Sequence, residues 1–306
     1  MINLTEFKSL FDLMRTFSTE QKCIKYLESI RWSNGIVSPF DSGSTVWKCK
    51  GINYRCKNTG KYFNIKAGTI FENTNIPLKK WFMVIWIISS HKKGISSIQI
   101  AKDLGLTQKT AWFMLQRIRT CFGSDLDVKL TGEIEIDETY IGGLEPNKHD
   151  SKKIEGTQGR STKTKVPVLG TVERGGRLKA NVVENTTTKV ITPAVVESVD
   201  ARATVYTDEW HGYKGIDRIY NHLYVKHKER EFVSGRIYTN NIEGFWGILK
   251  RGIIGIYHST SKKHLQLYVD EFVFRYNTRQ EDENTRFVAL LKNTDRRRIT
   301  YAKLIA

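Results

Sequence analysis

The clearest alternation of apolar and polar positions lies mid-chain, where residues 132–143 read GEIEIDETYIGG. As a strand of period two, this stretch puts Glu133, Glu135 and Asp137 on one face and Ile134 with Ile136 on the other. Like charges in a row repel. Such a face is either solvated along a sheet edge or neutralised by a cation, and the second reading makes Asp137 a metal ligand. The stretch alone leaves both readings open.

The same periodicities predict the other elements. Leu4, Phe7, Leu10, Phe11 and Met14 recur at helical spacing, which gives an amphipathic helix rather than a signal peptide. Pro77 opens a second helix that runs through the apolar residues 83–88. Residues 95–122 give a short helix with Ile98, Ala101 and Leu104, a turn at Gly105, and a longer helix from Thr107 with Ala111, Met114, Leu115 and Ile118. That is the length and turn placement of a helix-turn-helix. Its second helix would offer Gln108, Lys109 and Thr110 to bases or phosphates, with Arg117 and Arg119 further along.

Beyond the acidic strand, residues 144–165 are polar, lysine-rich and without apolar period, and so predict a mobile loop. Strands follow at 166–172 and 178–183, then a helix over 188–199, then a strand over 204–208 that ends on Asp208. Three strands, a helix and a strand is the order of a ribonuclease-H-like mixed sheet in an α/β domain, where acids at strand ends meet although distant in sequence. In the next helix Glu243, Trp246 and Lys250 share one face beside an apolar stripe of Ile242, Phe245 and Leu249. A final helical pattern over 262–277, with Leu265, Tyr268, Val269, Phe272 and Tyr276, is expected to pack on the sheet.

Charge changes the picture. The chain has 306 residues and a net charge of +17, and its first 130 residues carry 20 basic against 9 acidic side chains. That balance points to a polyanionic partner, nucleic acid first, bound by the front half. No apolar run is long enough to span a bilayer, which predicts a cytoplasmic protein without a membrane partner. In that compartment the four cysteines argue against disulfides. A zinc ribbon needs two close ligand pairs, whereas Cys49 and Cys56 have six residues between them and Cys23 and Cys121 lie far from both. A metal-free β-hairpin module is therefore expected over 38–61, with structural zinc disfavoured.

Taken as ordered blocks, IRW, AGTIFENTNIPLKKWF, IEIDETYIGG, VPVLGTVERGG, VYTDEWHGY, NNIEGFWGILKRG and SKKHLQLYVDEFVFRYN resemble the DDE transposases of bacterial insertion sequences, in the branch related to eukaryotic Merlin elements. The resemblance implies a degenerate zinc-ribbon-like module over 1–75, a helix-turn-helix-like DNA-binding region over 76–125, a ribonuclease-H-like DDE catalytic domain over 130–285 and a basic tail over 286–306. It departs from the family at the ribbon, where Ser38 and Asp41 stand in place of the first ligand pair and Thr59 stands opposite Cys56.

It further implies an enzyme that binds the terminal inverted repeats of its element and target DNA, and cuts and joins strands with two Mg²⁺ or Mn²⁺ ions. Asp137 would bridge both ions, Asp208 and Glu243 would each complete one, and Asn240 and Asn241 are second-choice contributors. Carboxylates suit such hard cations, and paired ions serve both the attacking and the leaving oxygen. Lys250 and Arg251 would meet the phosphate backbone, as would His258, Lys262 and Lys263. Trp210, His211 and Tyr213 beside Asp208 would stack on or orient DNA, with core packing the favoured reading for Trp210. Holding two ends together calls for a homodimer or higher assembly. The rival readings are a DNA-binding regulator or domesticated remnant without catalysis, and a nuclease that cuts without joining.

Overall fold

The computed structural model describes residues 7–123, 128–143, 149–155, 157, 161–225 and 236–305. The chain divides into two compact units, one of Met1–Phe122 with Gln280–Ala306 and one of Gly123–Arg279.

The first unit begins with α1 (Leu10–Thr16) and α2 (Glu20–Arg31), each started by a hydroxyl cap: Ser9 accepts from the Asp12 amide and Thr19 from that of Lys22. The amphipathic face of α1 differs from the expected one. Phe7 is buried as the pattern expects, but Phe11 and Met14 are exposed, and Leu13 and Phe17 are buried in their place; Leu4 lies outside the described residues. A three-stranded antiparallel sheet follows, of β1 (Val46–Lys48), β2 (Asn53–Cys56) and β3 (Tyr62–Asn64). Its small core is Tyr54, Cys56 and Phe63. The hydroxyls of Ser38, Ser44 and Thr59 surround the Cys56 sulfur and pull its thiol down to about 6, by hydrogen bonds that favour the thiolate.

Next come α3 (Leu78–Ser90), largely buried, then α4 (Ser97–Leu104) and α5 (Gln108–Arg119). Between the last two, Gly105 adopts φ +59°, a left-handed C-cap suited to glycine, and the Thr107 hydroxyl accepts from the Thr110 amide to start α5.

The second unit is built on a mixed five-stranded sheet of order β6-β5-β4-β7-β8, from β4 (Glu133–Ile141), β5 (Val166–Glu173), β6 (Leu178–Val182), β7 (Thr204–Asp208) and β8 (Asn221–Val225). β4 is central, antiparallel to β5 and parallel to β7. One face is covered by α6 (Thr188–Ser198) and the turn at Tyr213, burying Ile134, Ile136, Ile191, Val195 and Val205. The other is covered by α7 (Asn240–Gly252) and α8 (Leu265–Asn277), burying Val168, Leu178, Phe245, Leu249 and Phe272. The α/β class and mixed sheet are compatible with a ribonuclease-H-like domain. The loop expected over 144–165 lies partly outside the described residues; its described part includes a short 3₁₀ turn, Asp150–Lys152.

After α8 the chain returns to the first unit through α9 (Glu283–Lys292) and α10 (Tyr301–Ile305). The basic tail expected over 286–306 is thus corrected. Phe287, Leu290 and Leu291 are buried, and the Phe287 ring meets Phe7, Phe17, Phe82 and Trp86 at centroid distances of 5.3, 6.4, 5.6 and 6.1 Å. Arg298 pairs with Glu72 at 2.9 Å. The arginine run had masked an apolar helix face.

Candidate active site

Strand register brings the first two acids together. β4 and β7 run parallel with Glu133 opposite Thr204 and Glu135 opposite Tyr206, and the same offset sets Asp137 beside Asp208 where the two strands leave the ladder. Asp208 Oδ1 accepts the Trp210 amide at 2.9 Å, which fixes its orientation.

The helix that carries Glu243 is fastened to the same strand. Across the β4–β5 ladder Asp137 faces Gly170. A Cβ at Gly170 would stand 2.6 Å from the Trp246 ring and 2.7 Å from Ile242 Cδ1. Glycine there lets the indole of α7 lie against the sheet, and its Nε1–H donates to Asp137 Oδ2 at 3.0 Å.

Two residues earlier on the same face, Glu135 is fully buried. It accepts from Arg174 Nε at 2.9 Å, Asn241 Nδ2 at 2.7 Å, and the free amides of the first turn of α7, Asn241 N at 2.9 Å and Ile242 N at 3.2 Å. A carboxylate under a helix start satisfies donors that the helix cannot. Arg174 also donates to Glu133 at 3.3 Å and to the carbonyls of Arg236 and Tyr238, each at 2.9 Å, and its guanidinium lies on the Tyr206 and Tyr238 rings. The acidic stripe is thus neither a solvated edge nor three ligands: Glu133 and Glu135 are held by an arginine, and Asp137 remains at the end.

On the opposite face Tyr213 donates to Glu138 Oε2 at 2.7 Å, both side chains being buried. Tyr213 therefore belongs to the core rather than to a DNA surface. Trp210 is half-buried against the same core, and its ring lies tilted against that of the exposed His211.

Electrostatics single out Asp137. Burial, then the charges of Glu138, Asp208 and Glu243, push its carboxyl up to about 8. Carboxylates crowded in this way favour a hard divalent cation, which relieves their repulsion. Among the described residues, no three His, Cys, Asp or Glu side chains are gathered closely enough to hold a metal as they stand. Glu243 is exposed at the head of α7, and its Oε1 accepts the Thr239 hydroxyl at 2.9 Å. Asp137 and Asp208 offer carboxylate oxygens of the kind a divalent ion takes, and Glu243 stands at the start of the helix fastened to the same strand.

Lys250 and Arg251 are exposed on α7 beyond Glu243, and His258, Lys262 and Lys263 are exposed further along the chain. In the first unit, Gln108 and Lys109 are exposed at the start of α5 and Thr110 is partly covered. Gln108 bonds Ser97 at 2.9 Å, and Lys109 sits 5.0 Å over the Tyr301 ring. Arg117 and Arg119 do not extend this surface. Both are buried, and Arg117 donates to the Ile70, Glu72 and Ile299 carbonyls, so it ties the unit together internally.

Comparison with known proteins bears on this arrangement. Residues 129–277 match the ISXO2-like transposase domain, a span that takes in the whole five-stranded sheet, α7 and α8. An uncharacterized transposase-like protein of Haemophilus influenzae is 30% identical over 97 residues, which cover 77% of its length and 31% of this chain. The chain belongs to the insertion-sequence DDE transposases. A further relative of this transposase, an uncharacterized protein in the transposable element ISH50 of Halobacterium salinarum, is 27% identical over 275 residues, covering 86% of this chain and 92% of that protein. The matched domain holds Asp137, Asp208, Glu243 and Lys250, and also the residues that sequence reasoning passed over.

Of these, Arg174 reads as a turn residue, and Trp246 is placed by its helical spacing on the face of Glu243 and Lys250 but without a role. One signal was present: acids alternating along a central strand need a cation on that face once the face is covered.

Proposed function

We propose that this transposase binds the ends of its insertion sequence and cuts and joins DNA there, using divalent metal held by Asp137, Asp208 and Glu243. The observation that carries the reading is the parallel β4–β7 register, which sets Asp137 beside Asp208 with α7 and its Glu243 fastened to the same strand.

Bound Mg²⁺ or Mn²⁺ would activate the attacking oxygen and stabilise the leaving one. The chain's own residues orient the reactants. Trp246 orients the Asp137 carboxylate through Oδ2, and the Trp210 amide orients that of Asp208 through Oδ1. Lys250, exposed two turns beyond Glu243, would meet the phosphate of the bound strand, a contact that positions without reading sequence. In the first unit, the start of α5 with Gln108, Lys109 and Thr110 would meet DNA as the second helix of a helix-turn-helix. Joining two ends calls for at least two copies in the active assembly.

The test is cleavage and strand transfer on duplexes carrying the repeats that flank the gene, with Mg²⁺ or Mn²⁺. Asp137→Asn, Asp208→Asn and Glu243→Gln should each abolish both steps and leave binding largely intact. Near wild-type cleavage by any of the three would remove that residue from the assignment. Binding without nicking by the wild type would favour a regulator, and nicking without joining of pre-cut ends would favour a nuclease.

A further inference from the structure

Beyond the acids, α7 continues alongside β4 to a cavity of about 540 Å³ at the far end of both elements. The order of contacts along the pair fixes the direction. Glu135 meets Asn241 and Asp137 meets Trp246, and the cavity then opens between residues 140–143 of β4 and the turn that follows and Lys250, Ile253 and Ile254. Four residues of strand separate Ile141 from Asp137, a distance of about 13 Å.

The cavity has two kinds of wall. Ile141, Ile253 and Ile254 line it with apolar surface, and Ile254 is 68% exposed although no function of the fold requires that. Around the mouth stand Lys250, His258 and Lys262, all exposed. The opposite rim is formed by Lys165, next to Gly142, where the chain passes too close for a side chain: a Cβ at Gly142 would lie 2.9 Å from the Thr164 carbonyl.

The mouth is rigidly built. α7 runs into a π-helical turn, Ile253–Tyr257, and the next residue, His258, has φ +59° and ψ −46°. With the Ser259 amide donating to the Tyr257 carbonyl at 2.7 Å, His258 is the centre of a γ-turn of the rare, strained sort. Such a conformation persists only where the surroundings impose it. Here Tyr257 donates to the fully buried Glu271 at 2.5 Å, and Arg275 engages the same carboxylate. A strained histidine fixed at the mouth of an apolar, cation-rimmed cavity is an arrangement that core packing does not call for.

We propose that this cavity receives one nucleotide of the bound DNA, unstacked from the duplex near the reacting phosphate, with its base against the isoleucines and its flanking phosphates against Lys250, His258 and Lys262. Size selects the occupant. The cavity falls in the range of small-ligand sites and cannot admit a double helix, whose major groove alone is about 12 Å wide. An apolar wall accepts the face of any base, and a cationic rim accepts its phosphates. At about 3.4 Å per stacked nucleotide, a strand anchored at Asp137 reaches the cavity within a few steps. The inference rests on the proposed DNA-cutting function and names where its substrate strand is distorted.

The test uses the full chain and a duplex carrying the flanking repeat, with 2-aminopurine placed in turn at each of the nucleotides around the cut. In chelator, where no strand is cut, wild-type protein should raise the fluorescence of one position several-fold on binding. Ile254→Trp, which fills the cavity from the surface, should abolish that rise and slow cleavage in Mg²⁺ about tenfold, the scale expected for a misplaced reacting strand, with overall affinity by anisotropy little changed. Lys262→Ala should weaken the rise. If wild-type protein binds and cuts this DNA but no position brightens, or Ile254→Trp brightens it as before, the cavity holds no base and the inference fails while the proposed function stands. If the wild type neither binds nor cuts, both fail.

Discussion

The carboxylate of Glu135 lies beneath the first turn of α7 and takes the backbone amide of Asn241 at 2.9 Å, so the strand that ends in Asp137 also fixes the helix that begins with Glu243. Glu135 touches no substrate in this arrangement; it positions one acid relative to another. Glu135→Gln sets an amide against four donors and leaves Arg174 without its buried partner. The expected loss is about 3 kcal/mol of stability or more, seen as a fall in Tm of roughly 10 °C. Cleavage measured well below that Tm should still drop, because α7 is no longer held to the strand. A variant as stable and active as wild type would dissolve the link.

Trp246→Phe keeps the aromatic packing over Gly170 and removes the donor to Asp137. A hydrogen bond to a charged group is worth about 1.5–3 kcal/mol. If that orientation is used in the reaction, cleavage falls at least about tenfold at little cost in Tm. Gly170→Ala should reach a similar loss by another route, since its new methyl group displaces the indole; unlike Trp246→Phe, it should also destabilise the fold by about 1–3 kcal/mol.

Much of the second unit was readable because period-two strands and a 3.6-residue helix stripe impose themselves locally. The strand ending on Asp208 and the helix over α6 stand within a residue of where the pattern puts them. What escaped depends on distant partners. Nothing near Arg174 in sequence says that its guanidinium will join Glu133, Glu135 and the carbonyl of Tyr238. Arg117 and Arg119 look like a phosphate-binding row on a helix, yet both are buried and Arg117 donates to the carbonyl of the distant Ile299, and Phe287 is hidden among charges that suggest a tail.

The acids also predict a pH dependence. With its carboxyl raised to about 8, against roughly 3.9 for a free side chain, folded Asp137 keeps a proton that the unfolded chain has released. The contribution of Asp137 to stability in chelator is then fully present below about pH 4 and is lost as pH rises toward 8. Tm should fall over pH 5–8 relative to Asp137→Asn, whose amide does not titrate. Mg²⁺ or Mn²⁺ should restore it most at pH 8, rising with metal concentration. Parallel pH profiles for the two proteins, with no metal response, would rule out Asp137 as a ligand.

For the small three-stranded sheet, the hydroxyls of Ser38, Ser44 and Thr59 stand around Cys56 where a structural zinc would want thiolates or imidazoles. Purified protein should carry well below one zinc per chain, and a zinc-selective chelator should leave its Tm unmoved. Stoichiometric zinc bound through Cys56 would overturn this.

The aromatic cluster of the first unit has a consequence for synthesis. Phe7, Phe17, Phe82 and Trp86 all emerge from the ribosome early, yet the ring that fills the space between them, Phe287, comes after the entire acid-bearing unit has been made. A chain terminated in the middle, by a frameshift or a nonsense codon, would leave those rings uncovered and marked for proteolysis. Ribosomal products that could occupy DNA without being able to cut it would thus remove themselves.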